Sequence, residues 1–169
     1  VYSNEADIKK NLQLNFESPI IIFTQHSVTT EYSNSLEQLS SSLDALKILA
    51  SEGIQCILTY PNNDAGGRKI IESLESLSHQ HLENIQVHQS LGRHLYHGVL
   101  ALALNKSRQV VCVGNSSSGL KETPAFHCPT VNIGSRQDGR LRGANVIDVP
   151  YHATKIIAAI KKCLFDKSF

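Results

Sequence analysis

The stretch Pro19-Ile20-Ile21-Ile22-Phe23-Thr24 decides the fold of this 169-residue chain. It is a short, β-branched run in which no polar residue alternates with the apolar ones. A strand that is buried on both faces, as in a parallel sheet, has this pattern. We therefore predict a buried parallel strand over residues 19–24.

Similar apolar runs and helix-like spacings recur along the chain. Further strands are predicted at residues 54–59, 85–88, 110–113 and 130–133, with a sixth candidate at 145–149. Three sets of apolar residues share helix faces: Leu36, Leu39, Leu43, Leu46 and Leu49; Ile70, Ile71, Leu74 and Leu77; and Ile156, Ile157, Ile160 and Leu164. This alternation predicts an α/β fold with a doubly wound, Rossmann-like parallel sheet. Ligands of such sheets bind beyond the carboxyl ends of the strands, so the function is expected in the strand-to-helix loops.

Composition and charge limit the classes of protein. The chain is 41% hydrophobic and 18% charged with a net charge of +1, which argues against a nucleic-acid partner and a polybasic membrane anchor. Its length fits one domain over residues 1–169. The longest apolar run, residues 99–104, is far shorter than the roughly 20 residues of a membrane helix, and no signal peptide opens the chain. We expect a cytoplasmic domain without a membrane partner.

Cysteines and histidines give no metal-binding pattern. The four cysteines are widely spaced, contain no Cys-x-x-Cys pair and are predicted to be reduced core residues. The eight histidines, including His79 and His81, lack a carboxylate or cysteine at a suitable ligand spacing. We predict neither a metal nor a cofactor.

The loop Gly114-Asn115-Ser116-Ser117-Ser118-Gly119 carries the clearest functional signal. It follows a predicted strand and precedes a helix expected over residues 120–126. Small residues, hydroxyls and free amides at a helix start can hold a phosphate. An N-capping serine turn would have the same composition, and the loop matches neither a Walker sequence nor G-x-G-x-x-G.

Single residues near this loop have functional and structural interpretations. Glu122 could accept hydrogen bonds from a ribose diol, or it could be a first-turn glutamate favoured by the helix dipole. His26, at the end of the first strand, could contact a pyrophosphate or transfer a proton, or simply form local hydrogen bonds.

Two further loops follow predicted strands. Residues 60–68 have turn composition, in which Asn63 or Asp64 can cap the next helix, and ligand contact is a minority interpretation. Residues 134–140 bring guanidinium groups to the same edge, where Arg136 could clamp a phosphate, hold a loop carboxylate or remain a solvated surface residue.

Taken together, these loops resemble the carboxy-terminal domain of UDP-N-acetylglucosamine 2-epimerases. The matching segments are residues 24–31 (TQHSVTTE), 60–66 (YPNNDAG), 113–119 (VGNSSSG) continuing to Glu122, and 129–137 (PTVNIGSRQ) with Gly139-Arg140. They occur in the family's order across residues 20–149. Four ordered loops are far more specific than any one of them.

The resemblance implies one half of a two-domain, glycosyltransferase-B arrangement with a UDP-sugar substrate in the cleft. In that arrangement the amino-terminal domain, with the catalytic carboxylates, lies outside this chain, and the full-length protein forms a homodimer. His26 would then be catalytic, facing the pyrophosphate and the reacting sugar. UDP would contact Ser116 and Ser117 at the diphosphate and Glu122 at the ribose, and Arg136 would support the phosphate or the glycan side. Asn62, Gly119 and Leu91 would also contact UDP, the last in residues 89–93, whose backbone would border the uracil.

The Gln-His-Ser-Val-Thr-Thr form at residues 25–30 resembles the hydrolysing branch of the family. Such enzymes eliminate UDP across C1–C2 and add water to the glycal, which yields free N-acetylmannosamine for sialic-acid synthesis, and related members act on 2,4-diacetamido sugars. The isolated chain is expected to be inactive without the other domain. A non-catalytic UDP-sugar-binding module and half of a UDP-sugar glycosyltransferase stay open as alternatives.

Overall fold

Six parallel strands form one sheet in the computed structural model, which describes residues 1–63, 65–166 and 169. The strands are β1 Ile20–Thr24, β2 Gln55–Thr59, β3 Ile85–His88, β4 Val110–Gly114, β5 Thr130–Ile133 and β6 Val146–Val149. Their order is β3-β2-β1-β4-β5-β6, and every neighbouring pair is parallel. All the predicted strands, including the sixth, are confirmed.

Helices cover both faces of the sheet. They are α1 Glu5–Leu12, α2 Ser35–Ser51, α3 Gly67–His79, α4 Arg93–Ala101, α5 Ser118–Lys121 and α6 Ala153–Phe165, with 3-10 turns at Thr29–Asn34, Leu102–Leu104 and Thr123–Phe126. One core contains apolar residues of α2, α3 and α6, and the other contains those of α1 and α4. The doubly wound α/β fold is therefore confirmed.

Strand β1 shows why the deciding stretch is apolar throughout. Ile21 and Phe23 belong to the core beneath α2 and α6, whereas Ile20 and Ile22 belong to the core beneath α1 and α4. Successive side chains of a strand point to opposite faces, and here both faces are covered.

One expectation about the second helix is wrong in detail. Leu36 is 46% exposed, although Leu39, Leu43, Leu46 and Leu49 are buried, because Leu36 lies at the edge of the apolar stripe of α2. The opening segment, which carries no strong apolar signal, forms α1. Asn4 caps this helix by accepting from the amide of Asp7 at 2.9 Å.

The single helix expected over residues 120–126 is also wrong. Helix α5 ends at Lys121, and a separate 3-10 turn begins at Thr123. Pro124 explains the break, because it has no amide hydrogen to continue a helix but fits the first turn of a new one.

No helix within the described part of the chain is both long and apolar enough to span a bilayer.

Candidate functional site

The candidate site lies where the strand order reverses, between the central strands β1 and β4. Thr24 pairs with Gly114 at the carboxyl ends of these strands, and the two following loops diverge to opposite sides. Gly114 has φ of 134°, and a Cβ there would lie 1.9 Å from the carbonyl oxygen of Thr24. In doubly wound sheets this switch point is the usual ligand crevice.

Asn115 joins the two loops. Its side chain accepts from the amide of His26 at 2.7 Å and donates to the carbonyl of the same residue at 2.9 Å. The residue is only 1% exposed. Sequence reasoning gave Asn115 no role of its own, although an amide side chain between a buried strand and a serine loop is suited to such a bridge.

The loop of residues 60–68 orients the ring of His26. The amide of Asn62 donates to Nδ1 of His26 at 2.8 Å. The neutral imidazole therefore carries its proton on Nε2. This contact places the predicted residues His26 and Asn62 side by side, with Asn62 acting through its backbone.

The loop of residues 114–119, here called the serine loop, has polar groups that face the interior and others that face the crevice. Ser118 Oγ lies 2.5 Å from the hydroxyl of Tyr96 and 3.3 Å from Ser116 Oγ, so Ser118 faces inward. Among the described residues, no protein acceptor binds the amides of Ser116 and Ser117. Helix α5 has only four residues, so its aligned dipole is small and an anion here would depend on these amides and hydroxyls.

Arg136 and Ser117 line one cleft of about 390 Å³. Its other lining residues are Val28, Thr30, Ser135, Gln137 and Arg140. Arg136 donates from Nη1 to the carbonyl of Asn115 at 3.2 Å, which holds its guanidinium group beside the serine loop. The structure therefore brings together two arginines and two serines in a single polar cleft, and the amide of one of these serines, Ser117, has no protein acceptor among the described residues.

Glu122 lies between α5 and the next 3-10 turn, rather than in the first turn of a helix. The helix-dipole interpretation of Glu122 is thus wrong. Its Oε1 lies 2.5 Å from Nε2 of His97, and its side chain is 40% exposed. His97 was considered in the sequence only as a metal ligand, and its spacing of 25 residues from Glu122 gives no local signal.

The remaining predicted residues lie at neighbouring positions. Gly119 borders a small internal cavity of about 10 Å³ with Tyr96 and Ser116, and a Cβ on it would lie 3.1 Å from a methyl group of Thr130. Leu91 lines a separate cleft of about 250 Å³ beyond β3 that also contacts Tyr96.

The loop before α3 corrects one capping prediction. The N-cap is Gly66, with φ of 88°, rather than Asn63. The alternative cap, Asp64, lies outside the described residues. Across the ranges that the structure describes, no group of three or more His, Cys, Asp or Glu side chains could hold a metal ion.

The sheet order and the loops at its switch point define an α/β domain of the Rossmann-like class. A family profile described as UDP-N-acetylglucosamine 2-epimerase matches residues 2–169. The chain belongs to the UDP-N-acetylglucosamine 2-epimerase family.

Individual relatives agree with this membership. The chain is 31% identical over 147 residues to a GDP/UDP-N,N'-diacetylbacillosamine 2-epimerase (hydrolyzing) of Campylobacter jejuni, covering 87% of this chain and 36% of that protein. It is 56% identical over 48 residues to the polysialic acid biosynthesis protein P7 of Escherichia coli, covering 28% of this chain and 12% of that protein. A crystal structure from Listeria monocytogenes, assigned as a UDP-N-acetylglucosamine 2-epimerase, superposes with a TM-score of 0.67 at 17% identity over 99% of this chain and 40% of that one. The chain thus spans well under half the length of these proteins.

Proposed function

We propose that this chain is the UDP-binding, carboxy-terminal half of a hydrolysing UDP-N-acetylglucosamine 2-epimerase with two Rossmann-like domains. Family membership supports the reaction class, and the partial coverage of the relatives supports a second domain. The observation that carries the proposal is the cleft shared by Ser117 and Arg136 at the switch point.

The diphosphate of UDP would occupy this cleft. The amides and hydroxyls of Ser116 and Ser117 supply hydrogen-bond donors, and Arg136 supplies a guanidinium group fixed by Asn115. Glu122 would accept from the ribose hydroxyls, and Leu91 would border the uracil in the separate cleft beyond β3. The sugar would then project past His26 toward the second domain.

The proposed reaction begins with elimination. A base of the other domain removes the proton from C2, the C1–O bond breaks with its electron pair going to UDP, and a C1–C2 double bond forms. Water then adds to this glycal and releases the free 2-epimerised sugar. His26, whose ring is oriented through Nδ1 by the amide of Asn62, would face the diphosphate and assist by stabilising the charge that develops on the leaving group.

Two sugars are candidates for the substrate. We infer N-acetylmannosamine as the product and sialic-acid-type synthesis as its use, in line with the name of the Escherichia coli relative. The name of the Campylobacter relative makes a diacetamido sugar the competing substrate.

Binding and turnover test the proposal separately. Calorimetry of the full-length gene product should show UDP binding that Glu122→Ala weakens markedly. Proton NMR of a reaction with UDP-N-acetylglucosamine should show UDP and free N-acetylmannosamine. A parallel reaction with UDP-N,N'-diacetylbacillosamine tests the competing substrate. Transfer of sugar to an acceptor would instead indicate a glycosyltransferase, and binding without turnover a UDP-sugar-binding module.

The diphosphate contact has its own test. Arg136→Ala should weaken UDP binding by about 10- to 100-fold, the effect of losing a charge-assisted hydrogen bond, while uridine binding stays nearly constant. Arg68→Ala, an exposed arginine of α3, is the matched control. Equal losses for UDP and uridine would argue against a diphosphate at Arg136.

A further inference from the structure

Two adjacent residues of α4 reach the candidate site from outside the loops that the sequence singles out. Tyr96 contacts Ser118 of the serine loop, and His97 contacts Glu122, each at 2.5 Å. Helix α4 precedes β4 and packs in the same core as Ile20 and Ile22 of β1. It therefore connects the phosphate side and the ribose side of the site through one rigid element.

The His97 ring is held in one orientation. Its side chain is 18% exposed, and the ring lies 5.5 Å from the ring of Phe126 and 6.0 Å from that of Tyr96. Phe126 is packed edge-on by Tyr2 at 5.7 Å. Glu122, by contrast, is 40% exposed, and a long carboxylate in that position would sample several rotamers without a fixed partner. The contact with Nε2 restricts it.

We propose that His97 is a positioning residue that fixes Glu122 for the two ribose hydroxyls and so sets the preference for ribonucleotides over 2′-deoxyribonucleotides. The inference rests on the proposed function of this domain. An ionised carboxylate has about four acceptor positions, so a donor at Oε1 leaves positions for a diol. A ribose presents two donors in fixed geometry and benefits from a fixed carboxylate, whereas a 2′-deoxyribose presents only one.

The test compares UDP with 2′-deoxy-UDP by calorimetry on the full-length gene product. His97→Leu removes the donor and keeps an apolar body against Phe126, and His97→Gln keeps an N–H donor. His94→Leu is the matched control, because His94 lies on the same helix and is exposed, and among the described residues its ring hydrogen-bonds only to the carbonyl of Val1. Thermal melting of each variant confirms that it is folded.

The wild type should bind UDP more tightly than 2′-deoxy-UDP. His97→Leu should lower the ratio of the affinity for UDP to that for 2′-deoxy-UDP by about tenfold, the effect of one charge-assisted hydrogen bond. His97→Gln should restore most of this ratio. The double variant His97→Leu with Glu122→Gln should lose no more UDP affinity than Glu122→Gln alone.

Failure of the inference and failure of the proposed function give different results. A wild type that binds UDP, with the same ratio in His97→Leu, overturns the role of His97 alone. A folded wild type without affinity for UDP overturns the proposed function and this inference with it. A His97→Leu variant that loses UDP and 2′-deoxy-UDP binding equally also overturns the role of His97 in ribose recognition. The residue would then act on the fold rather than on the ribose.

Discussion

At the scale of single residues, Asn115 has the strongest structural role in the site. It is buried and satisfies both backbone groups of His26. Asn115→Ala would leave an amide and a carbonyl without their partners, so we expect the free energy of unfolding to fall by about 2–3 kcal/mol. Urea denaturation measures the loss. Asn11→Ala, at an exposed position of α1, is the control and should change the free energy of unfolding by less than about 0.5 kcal/mol. Equal losses for the two variants would contradict the bridging role of Asn115.

Gly114 is the other residue that the crevice requires. A Cβ at Gly114 would meet the backbone of Thr24 at the β1–β4 pairing, where no flexible side chain can move aside. We expect Gly114→Ala to destabilise the protein by more than about 3 kcal/mol. Gly139→Ala shares a positive φ of 81° but meets nothing within 4 Å, so its cost should stay near 1 kcal/mol. Similar unfolding curves for the two variants would show that the close approach is unimportant.

At the scale of the elements, strands were more predictable than helices. Strands such as β1 are buried on both faces and stand out as apolar runs. Helix α1 was missed because it buries only Ile8 and Leu12 and is otherwise mostly polar. The break at Pro124 was missed because residues 120–126 were interpreted as one helix that continued through the proline. Local patterns thus identify elements that carry their own signal, whereas short helices depend on the partner that covers them.

The site shows the same division. His26, Ser117 and Arg136 were found because each follows the carboxyl end of a strand, and the topology alone brings such loops together. Asn115 and His97 act through partners distant in sequence, and no periodic pattern encodes those contacts. The sequence therefore predicts which loops meet at the candidate site but not the contacts of Asn115 and His97 with them.

Helix α1 should contribute stability despite its weak signal. Ile8 is 1% exposed and packs in the core that α4 shares. Ile8→Ala removes buried methyl groups, so the free energy of unfolding should fall by about 2–4 kcal/mol. Ile48→Ala on α2, where the side chain is 47% exposed, is the matched control and should cost under about 1 kcal/mol. If urea denaturation gives the two variants the same stability, α1 is not part of the folded core.

At the scale of the whole molecule, the two cores enclose the thiols. Burial raises the pKa of Cys56 and of Cys163 from 9.0 to about 12, raises that of Cys112 to about 11, and raises that of Cys128 well above its usual value. All four are free; Cys56, Cys112 and Cys128 are buried, as predicted for core residues, whereas Cys163 is only half-buried. The folded state thus holds neutral thiols in a pH range in which the unfolded chain ionises.

The sign of the pH dependence follows from this difference. Below pH 9 both states keep the thiol protons, so these groups give the folded state its full stability there. Above pH 9 the unfolded chain releases protons that the folded protein retains, so the free energy of unfolding should fall steadily from pH 9 toward pH 11. Burial also raises the pKa of Tyr96, which acts in the same direction.

Urea denaturation between pH 7 and pH 10.5 tests this expectation, with thiol titration by a chromogenic disulfide as a second measurement. The folded protein should react slowly at pH 8, and all four thiols should react at once in denaturant. Cys56→Ala should reduce the alkaline loss of stability, since it removes one group whose pKa differs between the two states. A flat stability profile above pH 9, or fast labelling of every thiol at pH 8 in the native protein, would mean that the cores admit solvent and do not protect the cysteines.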